Sequence, residues 1–597
     1  MESRSNKKTS RLSWDLTPLF SSDNDPKIKE NLAETKKQVM KFVNKWQKRQ
    51  DFLSQSSILV TALTEYDNLL KYFGVTGNVR YYFHLRSTQD ENDPEIKAHS
   101  NKVEEFSTKL LNQIQFFELR LGKIPIHTQK KFLVISKLQP FHHFLHKLFT
   151  RAKYLLSEQE EKIINLKDIP AHSSWTKMTS SFLAKETRRG KNLSQLLSDF
   201  RSDSRLIRDK AAADVSFILD KHKTVAENEL NAILINKKID DELRGITRPE
   251  LPRHLADDID SDVVDAMTEA VTKRFNISSR YYQFKAKVLG VSKLKYHERF
   301  ITFGKVDRKY TYDQSVKLIK QVFTQLDPQF VEILTRFVKN GQIDVYPRAG
   351  KRGGAFCACD LMIHPTYILI NHTNNLNDVL TLAHEMGHGI NNELMKSQHQ
   401  AVNFGSPLSI AEVASTFMED FVLQQLLFQS TLKQRLMLYM QKLDDDIATI
   451  FRQVAAYNFE KELHLMCQKK GYLASNTIGE LFVKHMASYM GPYVEQSGGS
   501  NNYWVYWSHF RTFFYVYSYA SGLLVSKSLQ ARVRQDPAYI KVVKQILTAG
   551  SSDSPQNIFK KYAGLDIANP KFWTTGLKEV ESLLVETERL YEEVRGK

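Results

Sequence analysis

His384 and His388, four residues apart with Glu385 beside the first, are the side chains in this chain best spaced to do chemistry. Positions i and i+4 of a helix share a face, with β-carbons about 5–6 Å apart. Two imidazoles at that spacing can converge on one Zn²⁺ at roughly 2.0–2.1 Å each. Glu385 then borders the metal without ligating it. The metal acidifies a water and the carboxylate takes its proton, which is the core of metal-assisted peptide hydrolysis. Such a motif needs a helix beneath it. Leu376, Val379, Leu380 and Ala383 recur at helical spacing before the first histidine, which predicts an amphipathic helix with both histidines on or near its buried stripe. Gly387 and Gly389 each cost that helix roughly 1 kcal/mol against alanine. A helix so weakened is suited to close approach by a neighbour. The bland alternative, two ordinary surface or hydrogen-bonded core histidines, is not excluded by three letters alone.

A catalytic zinc commonly takes two histidines and a glutamate. Glu393, Glu412, Glu419 and Asp420 follow the motif. Glu393 falls on the same helix, turned off the metal face. Glu412 is the first acid on the next expected helix, which starts after Pro407, and it is preferred as third ligand. Against this, Ser409 to Glu412 also has the spacing of a capping box. Glu419, seven residues on, reads either as a hydrogen-bond partner of a histidine ligand or as a surface acid.

Beyond the motif, a series of segments resembles oligoendopeptidase F, within the wider thimet-oligopeptidase family of zinc metallopeptidases. These are Trp14–Phe20, Leu156–Lys162 with Ser173–Trp175, Arg280–Tyr282 with Lys285–Gly290, Gly350–Cys357, Thr381–His388, Glu412–Phe417, His509–Phe510 and Phe514–Ala520. They run in family order through most of the chain and are far more specific than the motif alone. The resemblance implies that His384, His388 and Glu412 ligate one zinc and that Glu385 is the general base. It also implies that a histidine and tyrosines of the last block face the substrate. His509 and Tyr517 are the first choices there, Tyr515 the next, as donors to the oxyanion. Gly353, Gly354, Ala355, Phe356 and Tyr519 are expected to line the substrate. Asn391–Asn392 and Met418 depart from the family pattern without replacing a ligand. Read by spacing alone, Tyr515, Tyr517 and Tyr519 share a face only in a strand. In a helix Tyr515 and Tyr519 pair and Tyr517 points elsewhere.

Two further segments bear on substrate. Tyr367–Ile370 is a short strand candidate, and a strand edge beside the metal can pair with an extended peptide through its main chain. Gly491–Pro492 and Ser497–Asn502 read either as a lid over the substrate or as an ordinary surface loop.

The 597 residues, 42% hydrophobic and 25% charged, describe a soluble globular protein. Long amphipathic stretches, Ile28–Gln50, Ser261–Leu289 and Ser430–Gln468, make it mainly α-helical. The expected architecture is an elongated multi-helix metallopeptidase of the zincin type, with a small β-sheet near the active site. Residues 1–14, basic and serine-rich, read as disordered; 15–200 as an N-terminal helical domain; 201–597 as the catalytic domain. By resemblance the halves enclose a deep channel that admits short unfolded peptides and excludes folded proteins. No apolar run suits a signal peptide or a membrane span. Three cysteines give no disulfide framework, and reduced thiols suit a cytoplasmic protein. The net charge of +17 raises a nucleic-acid-binding alternative, but the Lys and Arg are scattered without a dense basic run. An inactive, peptide-binding relative is the other alternative, and the intact Glu385 argues against it. The chain is therefore expected to be a monomer acting on peptides, with no nucleic-acid or membrane partner. Site affinity alone does not separate zinc from cobalt or manganese.

Overall fold

The computed structural model describes residues 12–74, 77–304, 308–397, 400–496 and 499–596. Apolar residues at helical spacing dominate the chain, and helices dominate the fold, with strands confined to three small sheets among the described residues. The longest element, α1 (Arg205–Leu243), turns Val215, Ile218, Leu219, Ala226, Leu230 and Ile233 into the core. The expected helices appear with shifted or broken limits. The first runs Lys27–Trp46. The second divides into Ser261–Thr272 and Phe275–Val288.

The sheet nearest the motif has three strands, β1 (Ile343–Asp344), β2 (Phe356–Ala358) and β3 (Tyr367–Leu369), in the order β1-β3-β2. β1 runs parallel to β3, pairing Ile343 with Ile368. β2 runs antiparallel to it, pairing Phe356 with Leu369 and Ala358 with Tyr367. Buried on both faces, β3 is the centre; β2 is an edge.

Of the stretch expected to be disordered, residues 1–11 lie outside the described residues, and Leu12–Trp14 do not fit the expectation. The Trp14 indole Nε1 donates to the Ile368 carbonyl at 2.8 Å, and the Leu12 carbonyl accepts from Val345 N–H at 3.0 Å. A tryptophan buries much apolar surface and needs one acceptor, and the sheet supplies both. Residues 39–149 build a core of their own. Trp14, Phe20, Tyr81 and Tyr82 share a second core with Tyr367 and Leu369. The N-terminal region therefore packs directly on the sheet beside the motif helix.

That helix is α2 (Leu376–Met395). Its N-cap Asn375 accepts from Asp378 N–H, and Asp378 returns a bond to Asn375 N–H, a capping box. Leu376, Val379, Leu382, Ala383, Met386 and Ile390 are buried. α3 (Val413–Phe428) lies against it. A β-carbon on Gly387 would stand 2.5 Å from the Ala414 carbonyl oxygen and 2.5 Å from the Ser415 Cα. Only glycine lets the two backbones approach this closely, which brings the start of α3 to the motif. The third expected helix is α4 (Leu432–Asp446) and α5 (Arg452–Lys470), joined by a π-helical turn at Ile447–Phe451. α6 (Tyr517–Gln535), buried along most of its length, completes the walls.

Of the segment that reads either as a lid or as a surface loop, the described part is not a free loop. Ser497 and Gly498 lie outside the described residues. Ser500–Val505 forms a 3₁₀ turn with Ser500, Asn502, Tyr503 and Trp504 buried, packed against α1.

Candidate metal centre

On α2, His384 and His388 point their rings to one side, centroids 5.2 Å apart and nearly perpendicular. Both are half-buried, on the margin of the apolar stripe. Glu412 joins them: its Oε2 lies 3.3 Å from His384 Nε2 and 3.5 Å from His388 Nε2. A tetrahedral ion with bonds of about 2.0–2.1 Å has ligand–ligand edges of about 3.3–3.4 Å, so these three atoms fit a zinc ion. Among the described residues they are the one group of this kind.

Glu412 is not inside a helix as expected. It stands at the break between the single turn Leu408–Ala411 and α3, with φ −86° and ψ 0°. Pro407 holds the N-cap position of that turn. Ser415 Oγ donates to Glu412 Oε2 at 2.8 Å. Gly522 of α6 lets the glutamate in, since a β-carbon there would lie 3.0 Å from Glu412 Cβ. Glu419, one face along α3, accepts from His384 Nδ1 at 3.0 Å. With Nδ1 as donor, the Nε2 lone pair is left facing Glu412.

The electrostatics are those of a cation site. Burial disfavours charge on His384, but the hydrogen bonds and charges of Glu412 and Glu419 overcome it and lift the imidazole to about 10. Burial likewise opposes ionisation of Glu412, and the two imidazoles hold the carboxyl below its usual range. Glu385 is 7% exposed, and its Oε2 is buried without a hydrogen-bond partner. Burial raises its pKa, with the two histidines pulling the other way. A buried carboxylate oxygen left unbonded is costly and is suited to accepting a proton from something absent in the free chain.

Behind Glu419 stands a charge network that the sequence did not reveal. Lys442 Nζ lies 3.2 Å from Asp446, and Lys527 Nζ 2.7 Å from the other oxygen of that aspartate. The charge of Lys442 helps hold Glu419 ionised. In sequence Lys442 and Asp446 look like an ordinary i,i+4 surface pair. Nothing there tells that α6 buries them.

Across from α2, His509 Nδ1 accepts from the Trp507 indole at 3.1 Å, and Nε2 lies 3.1 Å from the Tyr519 hydroxyl. An accepting Nδ1 leaves Nε2 as the protonated nitrogen. Burial and the nearby Arg452 both lower the His509 pKa. The Tyr515 ring packs 5.8 Å from His509 and 5.5 Å from Tyr519. Tyr517 does not join them. It opens α6, is fully buried, and donates to Asp257 Oδ2 at 2.7 Å, away from this group. Tyr515 and Tyr519 pair as in the helical alternative, although Tyr515 stands just before α6. The turn before it is strained: Phe513 and Phe514 both have positive φ, 47° and 55°, rare for bulky residues. Phe514 N–H donates to the buried Glu460 at 2.9 Å, which fixes the turn that aims His509 and Tyr515.

The expected substrate-lining segment divides. A β-carbon on Gly353 or Gly354 would meet open space, and the Gly354 carbonyl is held by Asn371 at 2.8 Å. Ala355 is half-buried. The half-buried Phe356 ring packs 6.1 Å from Trp14, against the N-terminal core. Cys357, on the opposite face of β2, accepts from Asn392 of α2 at 3.6 Å. Asn391, the other departure from the expected pattern, donates to Ser406 at 2.8 Å and ties α2 to the segment leading to Glu412. Met418 is buried in the core. All three cysteines are free thiols.

The model of peptidase family M3 matches residues 202–578, and a second family model, described as oligopeptidase F, matches residues 121–185. A group B oligopeptidase, PepB, from Streptococcus agalactiae is 24% identical over 97% of this chain and 96% of its own. An oligopeptidase PepF from Bacillus subtilis is 25% identical over 90% of this chain and 82% of its own. Among solved structures, a candidate peptidase from Chlamydophila abortus superposes with a TM-score of 0.85 at 20% identity, covering 97% of this chain and 98% of that one. Oligoendopeptidase-F from Enterococcus faecium gives 0.69 at 19% identity, covering 95% and 98%. At these identities the structural likeness speaks for the fold alone.

Proposed function

Because the chain belongs to peptidase family M3 and is a metalloendopeptidase, we propose that it is a zinc-dependent oligoendopeptidase that cuts internal bonds of short unfolded peptides. The observation that carries this reading is the tetrahedral-edge spacing of His384, His388 and Glu412 around one point, with the orphaned Glu385 carboxylate beside it.

His384, His388 and Glu412 hold the ion, and Glu419 orients the first histidine. A zinc ion bound there supplies Lewis acidity, lowering the pKa of a water and polarising a carbonyl. Glu385 accepts the proton of the attacking water and delivers it to the leaving amine. Tyr519 and His509 serve the developing oxyanion. His509 Nε2–H donates to the tyrosine oxygen, and the Tyr519 hydroxyl, which hydrogen-bonds Tyr515 in the free chain, turns its hydrogen to the substrate. The free edge of β2 offers main-chain partners to an extended peptide, giving affinity without a demand for one sequence. No described helix is long and apolar enough to cross a membrane.

The test is mass-spectrometric analysis of a peptide mixture of graded length, with and without chelator. Internal cuts in short peptides that vanish on chelation and return with zinc are expected. Absence of cleavage by the zinc-loaded protein, or cleavage indifferent to chelation, would overturn the reading.

A further inference from the structure

A cavity of about 540 Å³ lies between the start of α2, α4 and the start of α5. Arg299 and Arg452 line it, together with Asp444 and Asp445. Neither guanidinium has a carboxylate within ion-pairing distance among the described residues, and the Nε of each is buried with no hydrogen-bond partner. Arg299 is 8% exposed. Its charge rests on the Tyr296 and Phe300 rings, 3.6 and 4.2 Å from their centroids, and on one backbone carbonyl, that of Tyr296. Arg452 lies 5.7 Å from the Trp507 ring. Elsewhere arginines held away from solvent are paired: the buried Arg511 grips Glu229 at 2.8 Å and the half-buried Arg244 grips Glu161 at 2.6 Å. Desolvated charge left without a counter-ion is unfavourable.

The acids in the cavity do not neutralise the two arginines. Asp444 is taken by Lys285 and the Tyr281 hydroxyl, each at 2.5 Å. Asp445 lines the cavity, where the surrounding protein and the neighbouring acids Glu419, Asp444 and Asp446 raise its pKa to about 7. Two neighbours of its lining connect the recess to the candidate metal centre. The Trp507 that carries Arg452 also donates to His509, and Asp445 feels the charge of Glu419, which holds His384.

We propose that this cavity is a carboxylate subsite, in which Arg299 and Arg452 hold a carboxylate of the bound peptide away from the bond being cut. The inference rests on the peptidase reading above. A planar guanidinium presents paired donors that match a carboxylate, and a net charge of +17 draws acidic peptides toward it. The carboxylate has two possible sources, the peptide's C-terminus or an Asp or Glu side chain.

The experiment uses the zinc-loaded full chain carrying Glu385→Gln, so that binding is read without turnover. Fluorescence anisotropy is measured for length-matched peptides: a free acid against its C-terminal amide, and a Glu-containing amide against its Gln counterpart. About tenfold or tighter binding of the acid identifies the terminus as the source. The same preference for Glu over Gln identifies the side chain. Adding Arg452→Met should cut the preference to threefold or less. Arg299→Lys, which keeps the buried charge and loses the fork, should reduce it also. Equal binding of all four peptides, or a preference untouched by both substitutions, would overturn the subsite. Parallel cleavage of the amides by the unsubstituted enzyme separates the two failures. Cuts there with no discrimination sink the subsite alone, whereas no cuts and no binding sink the peptidase reading and the subsite with it.

Discussion

Tyr517 and Tyr519, two residues apart, should fail in opposite ways when each loses only its hydroxyl. Tyr519 lies 3.1 Å from His509 and is near enough to Glu412 to feel its charge. Its hydroxyl is the donor assigned to the oxyanion, and removing one such donor costs about 10²–10³ in kcat, or roughly 2.7–4 kcal/mol. Tyr519→Phe should therefore lose kcat to that extent, with little change in KM or in unfolding midpoint. Tyr517 donates to the buried Asp257, which keeps both bonds to Arg253 at 2.9 Å. Deleting one hydrogen bond to a charged, buried group costs about 1.5–3 kcal/mol. Tyr517→Phe should lower the urea midpoint accordingly and leave kcat within about twofold. Steady-state cleavage of one quenched-fluorescent peptide and urea melts of the same preparations decide it. A hundredfold loss of kcat in Tyr517→Phe at unchanged stability, or full activity in Tyr519→Phe, would refute the assignment.

Glu419→Gln should weaken zinc binding about 10–100-fold in competition with a chromogenic chelator, because it removes the carboxylate that orients His384; unchanged affinity would make Glu419 a bystander. Glu460 tests the strained turn. Burial pushes its carboxyl up to about 8 from an unfolded value of about 4.3. The folded state therefore holds the extra proton between those values, and stability contributed by this group is full below about pH 4.3 and lost as pH rises through about 8, by at most about 4–5 kcal/mol. Glu460→Gln keeps an acceptor for Phe514 N–H and cannot ionise, so it should flatten the fall in urea midpoint between pH 5 and pH 8.5; the same fall in both proteins would place the titration elsewhere.

The candidate metal ligands are legible because their signals are local. Two histidines at i and i+4, an apolar stripe and a cap define α2, and the two glycines announced the close approach that Gly387 makes to Ala414 and Ser415. Glu412 was readable as the next acid, though not its place at a helix break, which depends on packing against Gly522. The place of Tyr517 is not legible, because the chain enters α6 through two phenylalanines in the left-handed region, and no residue type there advertises positive φ as glycine would. The partners of Lys442, Arg299 and Arg452, or their lack, are tertiary facts. Each looks in sequence like any solvated basic residue. Trp14 was assigned to a disordered tail by composition, and its acceptor, the Ile368 carbonyl, is 354 residues away.

The central claim is that His384, His388 and Glu412 hold zinc while Glu385 moves the proton. Zinc content and peptide turnover of a single Glu385→Gln preparation, set beside the unsubstituted protein, test it most directly. One zinc per chain is expected in both proteins, with a loss of kcat of about 10²–10⁴ in the variant, the usual worth of a general base. Undiminished turnover by the zinc-loaded variant would contradict it.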